Sequence, residues 1–138
     1  MKIKNIAKVG AASVALLMSG CCSMNSCDFD KMHMKHHAPN YRVHFASDSA
    51  ELDHHAMKVV KKAAHAADDR CVMVVGHTDA SDTMRHNMRL SERRAESVKN
   101  ALMDMGVCAN HVSARGHGEM KDAPEHSWNA REVTISIH

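Results

Sequence analysis

Alternating apolar and polar positions mark both ends of a folded unit in this chain. Tyr41-Arg42-Val43-His44-Phe45 alternates as a half-buried strand does, and Val133-Thr134-Ile135-Ser136-Ile137 repeats the pattern near the C-terminus. Between them, Leu52, Ala56, Val59, Val60, Ala63 and Ala67 keep helical spacing, with lysines and histidines on the opposite face. Ala46 to Glu51 and Asp68-Asp69-Arg70 read as turns. The second leads into an apolar run, Cys71-Val72-Met73-Val74-Val75, which ends at Gly76 and predicts a buried strand. Asn87, Leu90, Arg94, Val98, Ala101 and Met105 form one stripe of a second helix, capped by Asp82 or Thr83 and ended by Gly106. Val112 to Arg115 predicts a short strand ahead of Gly116-His117-Gly118. The order β-α-β-α-β-β over residues 41–138 predicts an α+β fold, a two-layer sandwich with helices packed on one mixed sheet.

The second helical stripe is apolar in its late half only. Its early half carries an amide, Asn87, and a guanidinium, Arg94, where burial favours carbon. A charge on an inward face must meet a partner, and either Asp79 or a bound anion can serve. Asp79 closes the segment Gly76-His77-Thr78-Asp79 at a strand's end, where loops build pockets. Function is expected here.

The N-terminus has a different character. Met1 to Lys8 carries three lysines, Val9 to Met18 is an apolar run, and Ser19-Gly20-Cys21 follows. That pattern is a secretory signal over residues 1–20, too short to persist as a membrane span. Its end, Met18-Ser19-Gly20-Cys21, resembles a bacterial lipoprotein signal in which Cys21 is lipidated; an ordinary cleavage site followed by a cysteine is the alternative. Removing the signal takes away Lys2, Lys4 and Lys8 and no acid, so the formal charge of +2 becomes −1. The basicity belongs to the signal, and nucleic acid is not an expected partner. Residues 21–40 read as a lipidated cysteine and a flexible tether. Of the remaining cysteines, Cys22 and Cys27 fall in the tether, Cys71 in the apolar strand and Cys108 in a loop. Cys71 reads as a small core residue, and no disulfide framework is expected.

Thirteen histidines and twelve methionines stand out in a chain with few aromatics. Met32-His33-Met34 with His36 and His37 offers soft and borderline ligands for copper or zinc, which makes a metal-binding lipoprotein the alternative function. His54, His55 and His65 on the polar side of the first helix favour a solvated face instead, and no cofactor is expected. His77 and Asp79 are two apart and Cys108 lies near His111, yet no nucleophile elbow, phosphate loop or HExxH pattern accompanies them, so the chain does not read as an enzyme.

Four motifs, the Phe45–Leu52 segment, Gly76-His77-Thr78-Asp79, Asn87-x-x-Leu90-Ser91-x-x-Arg94-Ala95 and Ser113-x-x-Gly116-x-Gly118-Glu119, occur in order and at fixed spacing. Together they resemble the OmpA-like peptidoglycan-binding domain over about residues 41–138, with the OmpA-C-like fold. With a lipoprotein-type signal ahead, the whole is Pal-like, similar to the peptidoglycan-associated lipoproteins. The resemblance implies a lipid-anchored protein of the outer membrane with its domain in the periplasm, which holds the diaminopimelate of peptidoglycan stem peptides non-covalently. Cys22 rather than aspartate after Cys21 agrees with outer-membrane sorting. It implies the Tol system, through the propeller protein TolB, as a further partner. Arg94 would take the ligand carboxylate and Asp79 its ammonium, with Asp48, Thr78, Asn87 and Leu90 around them. The family's Asn-Arg-Arg-Val is Asn129-Ala130-Arg131-Glu132-Val133 here, so only Arg131 is left to border the site.

Overall fold

Valine and isoleucine at alternate positions turn one face of the two central strands toward two helices. The computed structural model describes residues 27–29, 39–121, 123 and 126–138. The signal at 1–20, Cys21, Cys22, the candidate ligands His33, His36 and His37, and most of the 21–40 segment lie outside the described residues. The order is β1 (Asn40–His44), α1 (His54–Ala67), β2 (Val72–Thr78), α2 (Met84–Asp104), β3 (Val112–Glu119) and β4 (Glu132–Ile137), with single 3-10 turns at Ala109–His111 and Trp128–Ala130. This is the expected α+β sandwich.

The sheet order is β1-β4-β2-β3. β4 is last in sequence but sits inside, antiparallel to β1 from Asn40↔Ser136 to His44↔Glu132 and to β2 from Val72↔Ile137 to Gly76↔Val133. β2 and β3 are parallel from Val72↔Val112 to Gly76↔Gly116, with a register shift before Thr78↔Glu119. β1, β2 and β3 therefore end at one pole of the sheet, where β4 begins. Val43, Val72, Val74, Val133, Ile135 and Ile137 point inward against Ala56, Val60, Ala63, Ala95, Val98 and Leu102 of the helices. Polar alternates such as Thr134 and Ser136 stay half-exposed on the other face.

The helix starts are set by short polar side chains. The Asp53 carboxylate accepts the Ala56 amide at 2.7 Å, and the Thr83 hydroxyl accepts that of His86 at 3.3 Å. Gly106, at φ +101°, follows the α2 C-cap in a backbone that other residues resist. Two glycines let α2 lie close on the sheet. A Cβ on Gly76 would overlap the Ser91 carbonyl oxygen, and one on Gly116 would meet the Ser91 hydroxyl and stand 2.5 Å from the Glu92 nitrogen.

Several expectations need correction. β3 does not stop at Arg115 but continues through Gly116-His117-Gly118 to Glu119, because Gly116 lets α2 approach closely rather than ending the strand. Met105 of the inward stripe is exposed, and Leu102 is buried in its stead. Cys71 is not a lone core residue. It lies half-buried just before β2 and is bridged to Cys27 across a Cα–Cα distance of 5.8 Å. Cys108 is disulfide-bonded as well. The segment read as a flexible tether is thus pinned to the domain at Cys27, at the pole opposite the strand ends just described. A sequence separation of 44 residues hid that pairing.

Candidate functional site

The carboxyl ends of β1 and β2, the first turns of α2 and the approach to β4 converge at one pole. They enclose a cavity of about 190 Å³, lined by Ser47, Asp48, Asp79, Ser81, Asp82, His86, Asn87, Leu90, Arg94 and His126. Five residues expected from the sequence, Asp48, Asp79, Asn87, Leu90 and Arg94, are brought together there. Thr78 is buried beside Asp79, and Arg131 reaches the same carboxylate from the β4 side.

Arg94 is fully buried on α2, with 0% exposure. Among the described residues its hydrogen-bond partners are three backbone carbonyls, and Asp79, the side-chain partner considered from the sequence, is not one of them. Nε donates to Ser49 O at 2.8 Å, Nη2 to Ala46 O at 2.9 Å and Nη1 to His77 O at 3.1 Å. Carbonyls at strand ends have no ladder partner, and the guanidinium fork supplies one to each. Its carbon also lies 5.3 Å from the centroid of the Phe45 ring. Burial pulls the Arg94 pKa down to about 10, opposed by Asp79 and Asp48 and assisted by Arg131 and Arg93, so the group stays cationic at neutral pH. Three of its five N–H donors are committed to carbonyls.

Asp79 is only 4% exposed. The Ser81 hydroxyl donates to its Oδ1 at 2.5 Å, while Oδ2 has no hydrogen-bond partner among the described residues. Arg131 Nη1 stands 3.8 Å from Oδ2, long for a hydrogen bond but close enough for charge attraction. The Thr78 hydroxyl oxygen beside it also lacks a partner. A buried carboxylate oxygen with an open acceptor site costs free energy until a donor arrives. Asn87 Nδ2 donates to Asp82 O at 3.1 Å, which fixes the turn ahead of α2.

Asp48 occupies a left-handed backbone, φ +52°, between the two carbonyls that Arg94 grips. Its carboxylate meets His86 Nε2 at 2.8 Å, and Asp82 Oδ2 lies 3.8 Å from the same nitrogen. His86, Ser81, Asp82 and His126 were not foreseen. The i,i+4 spacing of Asp82 and His86 at a helix start was a usable signal, whereas Asp48 lies 38 residues from His86 and gave none. His77 turns its ring edge-on to His117 at 5.5 Å, and burial followed by the charge of His117 lowers its pKa. A larger cleft of about 330 Å³ opens between β1 and α1, lined by Arg42, Lys58, Lys62 and Trp128 among others. Among the described residues, no group of three or more His, Cys, Asp or Glu is placed to hold a metal ion, and no helix is long and apolar enough to cross a membrane.

The OmpA family model matches residues 44–134, from the end of β1 into β4 and across the whole cavity. The chain belongs to the OmpA family. Outer membrane protein A of Bordetella avium is 41% identical over 61 residues, 44% of this chain and 31% of that protein. Outer membrane protein A of Serratia marcescens is 45% identical over 51 residues, 37% of this chain and 14% of its own length. The chain thus matches under a third of the length of these OmpA relatives. In three dimensions it resembles the peptidoglycan-associated lipoprotein from Burkholderia pseudomallei, with TM-score 0.63 and 24% identity over 71% of this chain and 90% of that one. The OmpA-like domain of FopA1 from Francisella tularensis gives 0.64 at 20% identity, covering 70% of each chain. These two likenesses establish the OmpA-type fold.

Proposed function

We propose that this domain binds peptidoglycan by taking the side-chain end of diaminopimelate into the cavity between Asp79 and Arg94. The observation that carries the reading is Asp79 Oδ2, buried at the cavity wall without a hydrogen-bond donor among the described residues. An ammonium supplies that donor and a compensating charge at once. The N–H donors of Arg94 not used on carbonyls, with Asn87 and the polar turn at Ser47–Asp48, offer the donors a ligand carboxylate needs. About 190 Å³ suits one small zwitterionic side-chain end and not a large apolar ligand. Membership of the OmpA family and the resemblance to a peptidoglycan-associated lipoprotein support the same reading.

The protein then acts as a binding module rather than a catalyst. With Cys21 carrying lipid, it anchors the outer membrane to the wall from the periplasmic side, and a propeller protein of the Tol type is its candidate protein partner. Co-sedimentation with isolated sacculi tests the site. Asp79→Asn keeps shape and removes charge, and it is expected to abolish pelleting while retaining a native melting transition. Folded Asp79→Asn protein that pellets like wild type sinks the assignment. Lipid labelling of Cys21 and crosslinking in the native envelope test the anchor and the protein partner separately.

A further inference from the structure

The rim of the cavity already holds an imidazole of the chain's own. His86 Nε2 sits 2.8 Å from Asp48 Oδ1 and 3.8 Å from Asp82 Oδ2, so one imidazole spans two of the three carboxylates that line the cavity. Its side chain is 36% exposed and that of Asp48 69%, so protons exchange freely with solvent there. The backbone beneath is fixed, because Arg94 grips the carbonyls of Ala46 and Ser49 on either side of Asp48. The Asp48 side chain can therefore change partner without the turn moving.

We propose that His86 is a specificity-setting gate, an internal stand-in for the ligand ammonium whose protonation competes with ligand binding. This rests on the reading of the cavity as a diaminopimelate site. Charged, His86 neutralises Asp48 and Asp82 and adds a repelling charge beside an incoming ammonium. Neutral, it frees both carboxylates to attract one. Among the described residues, the other charged groups around it are Asp79 and Asp82 from the turn after β2, Arg94 from α2, and Arg131 and His126 from the approach to β4. Of these, His126 is the other imidazole lining the cavity, so its replacement is the control. A unit charge several ångströms from the ligand at a solvated rim changes affinity by roughly three- to tenfold.

The test is calorimetric titration with a soluble stem peptide that contains diaminopimelate, at about pH 5.5 and about pH 7.5. Wild type is expected to bind roughly three- to tenfold more tightly at the higher pH, with proton release detectable by comparing buffers of different ionisation enthalpy. His86→Gln is expected to bind equally at both pH values without that proton release, and His126→Gln to keep the wild-type dependence. The proposal is overturned by equal wild-type affinity at both pH values, or by a His86→Gln variant that retains the dependence. Wild type that binds at neither pH overturns the site reading and the gate together, which separates the two failures. His86 caps no core, and matched melting curves verify that the variants are folded.

Discussion

Arg94 is placed for binding, but its surroundings predict that it matters at least as much for folding. Replacing it with alanine strips one donor from each of three carbonyls, those of Ala46 and Ser49 in the turn after β1 and that of His77 near the end of β2, though Ala46 O keeps the Ser49 amide. Charge-assisted hydrogen bonds of this kind contribute about 1.5–3 kcal/mol each. Burial works against them: it pulls the guanidinium pKa well below its ordinary value, down to about 10. At about 1.4 kcal/mol per unit, roughly 3 kcal/mol of the gain is returned. Arg94→Ala should therefore lose on the order of 2–5 kcal/mol, a large part of a small domain's stability. Arg94→Lys should fall between, because a single ammonium keeps the charge but cannot reach all three carbonyls. Urea unfolding followed by circular dichroism measures both variants. If Arg94→Ala unfolds within about 1 kcal/mol of wild type, the carbonyl clamp is not a structural element and the reasoning fails.

Gly76→Ala should push α2 off the sheet, since its Cβ meets the Ser91 backbone; a cost of about 1–3 kcal/mol and weaker sacculus binding are expected, and an unchanged melt with full binding refutes the tight seam. The Cys27→Ser/Cys71→Ser variant opens a loop spanning 44 residues and should lose about 2–4 kcal/mol of stability under oxidising conditions. Equal urea midpoints for the two proteins without reductant would refute that. Burial, then the nearby His117, lowers the His77 pKa below 6.5, so the unfolded chain binds more protons than the folded one in that window. Stability from this group is complete above about pH 6.5 and lost as pH falls toward the lowered value. Urea midpoints at several pH values should fall on acidification more for wild type than for His77→Gln, and parallel curves would contradict it.

The legible parts of this fold share a cause. Strict alternation in β4 and the apolar stripe of α2 reflect burial on one side, which writes a period into the residues themselves. Asp79 and Arg94 were legible because charges where carbon is favoured are conspicuous, and both line the cavity. What Arg94 bonds was not legible, because a backbone carbonyl carries no residue identity. The Cys27–Cys71 bridge and the His86–Asp48 contact join positions 44 and 38 residues apart, and only the assembled fold brings them together. The third strand was expected to stop ahead of Gly116 because glycine breaks strands as well as allowing close approach; here the Gly118 amide donates to the Ser91 hydroxyl at 2.8 Å, inside the α2 seam.

The Cys27–Cys71 bridge and Asp79 lie at opposite ends of one strand, which sets a mechanical axis through the domain. Under the proposed anchoring, tension arriving through Cys27 would enter β2 at its start, and a ligand held at Asp79 would pull from its far end. β2 is already extended and has β4 on one side and β3 on the other, so the load follows its covalent backbone and the ladder hydrogen bonds, lying across the pull, do not have to carry it. Without the bridge the same tension would enter at Asn40, on β1, an edge strand that β4 alone holds. One covalent bond thus moves the point of force from the margin of the sheet to its interior.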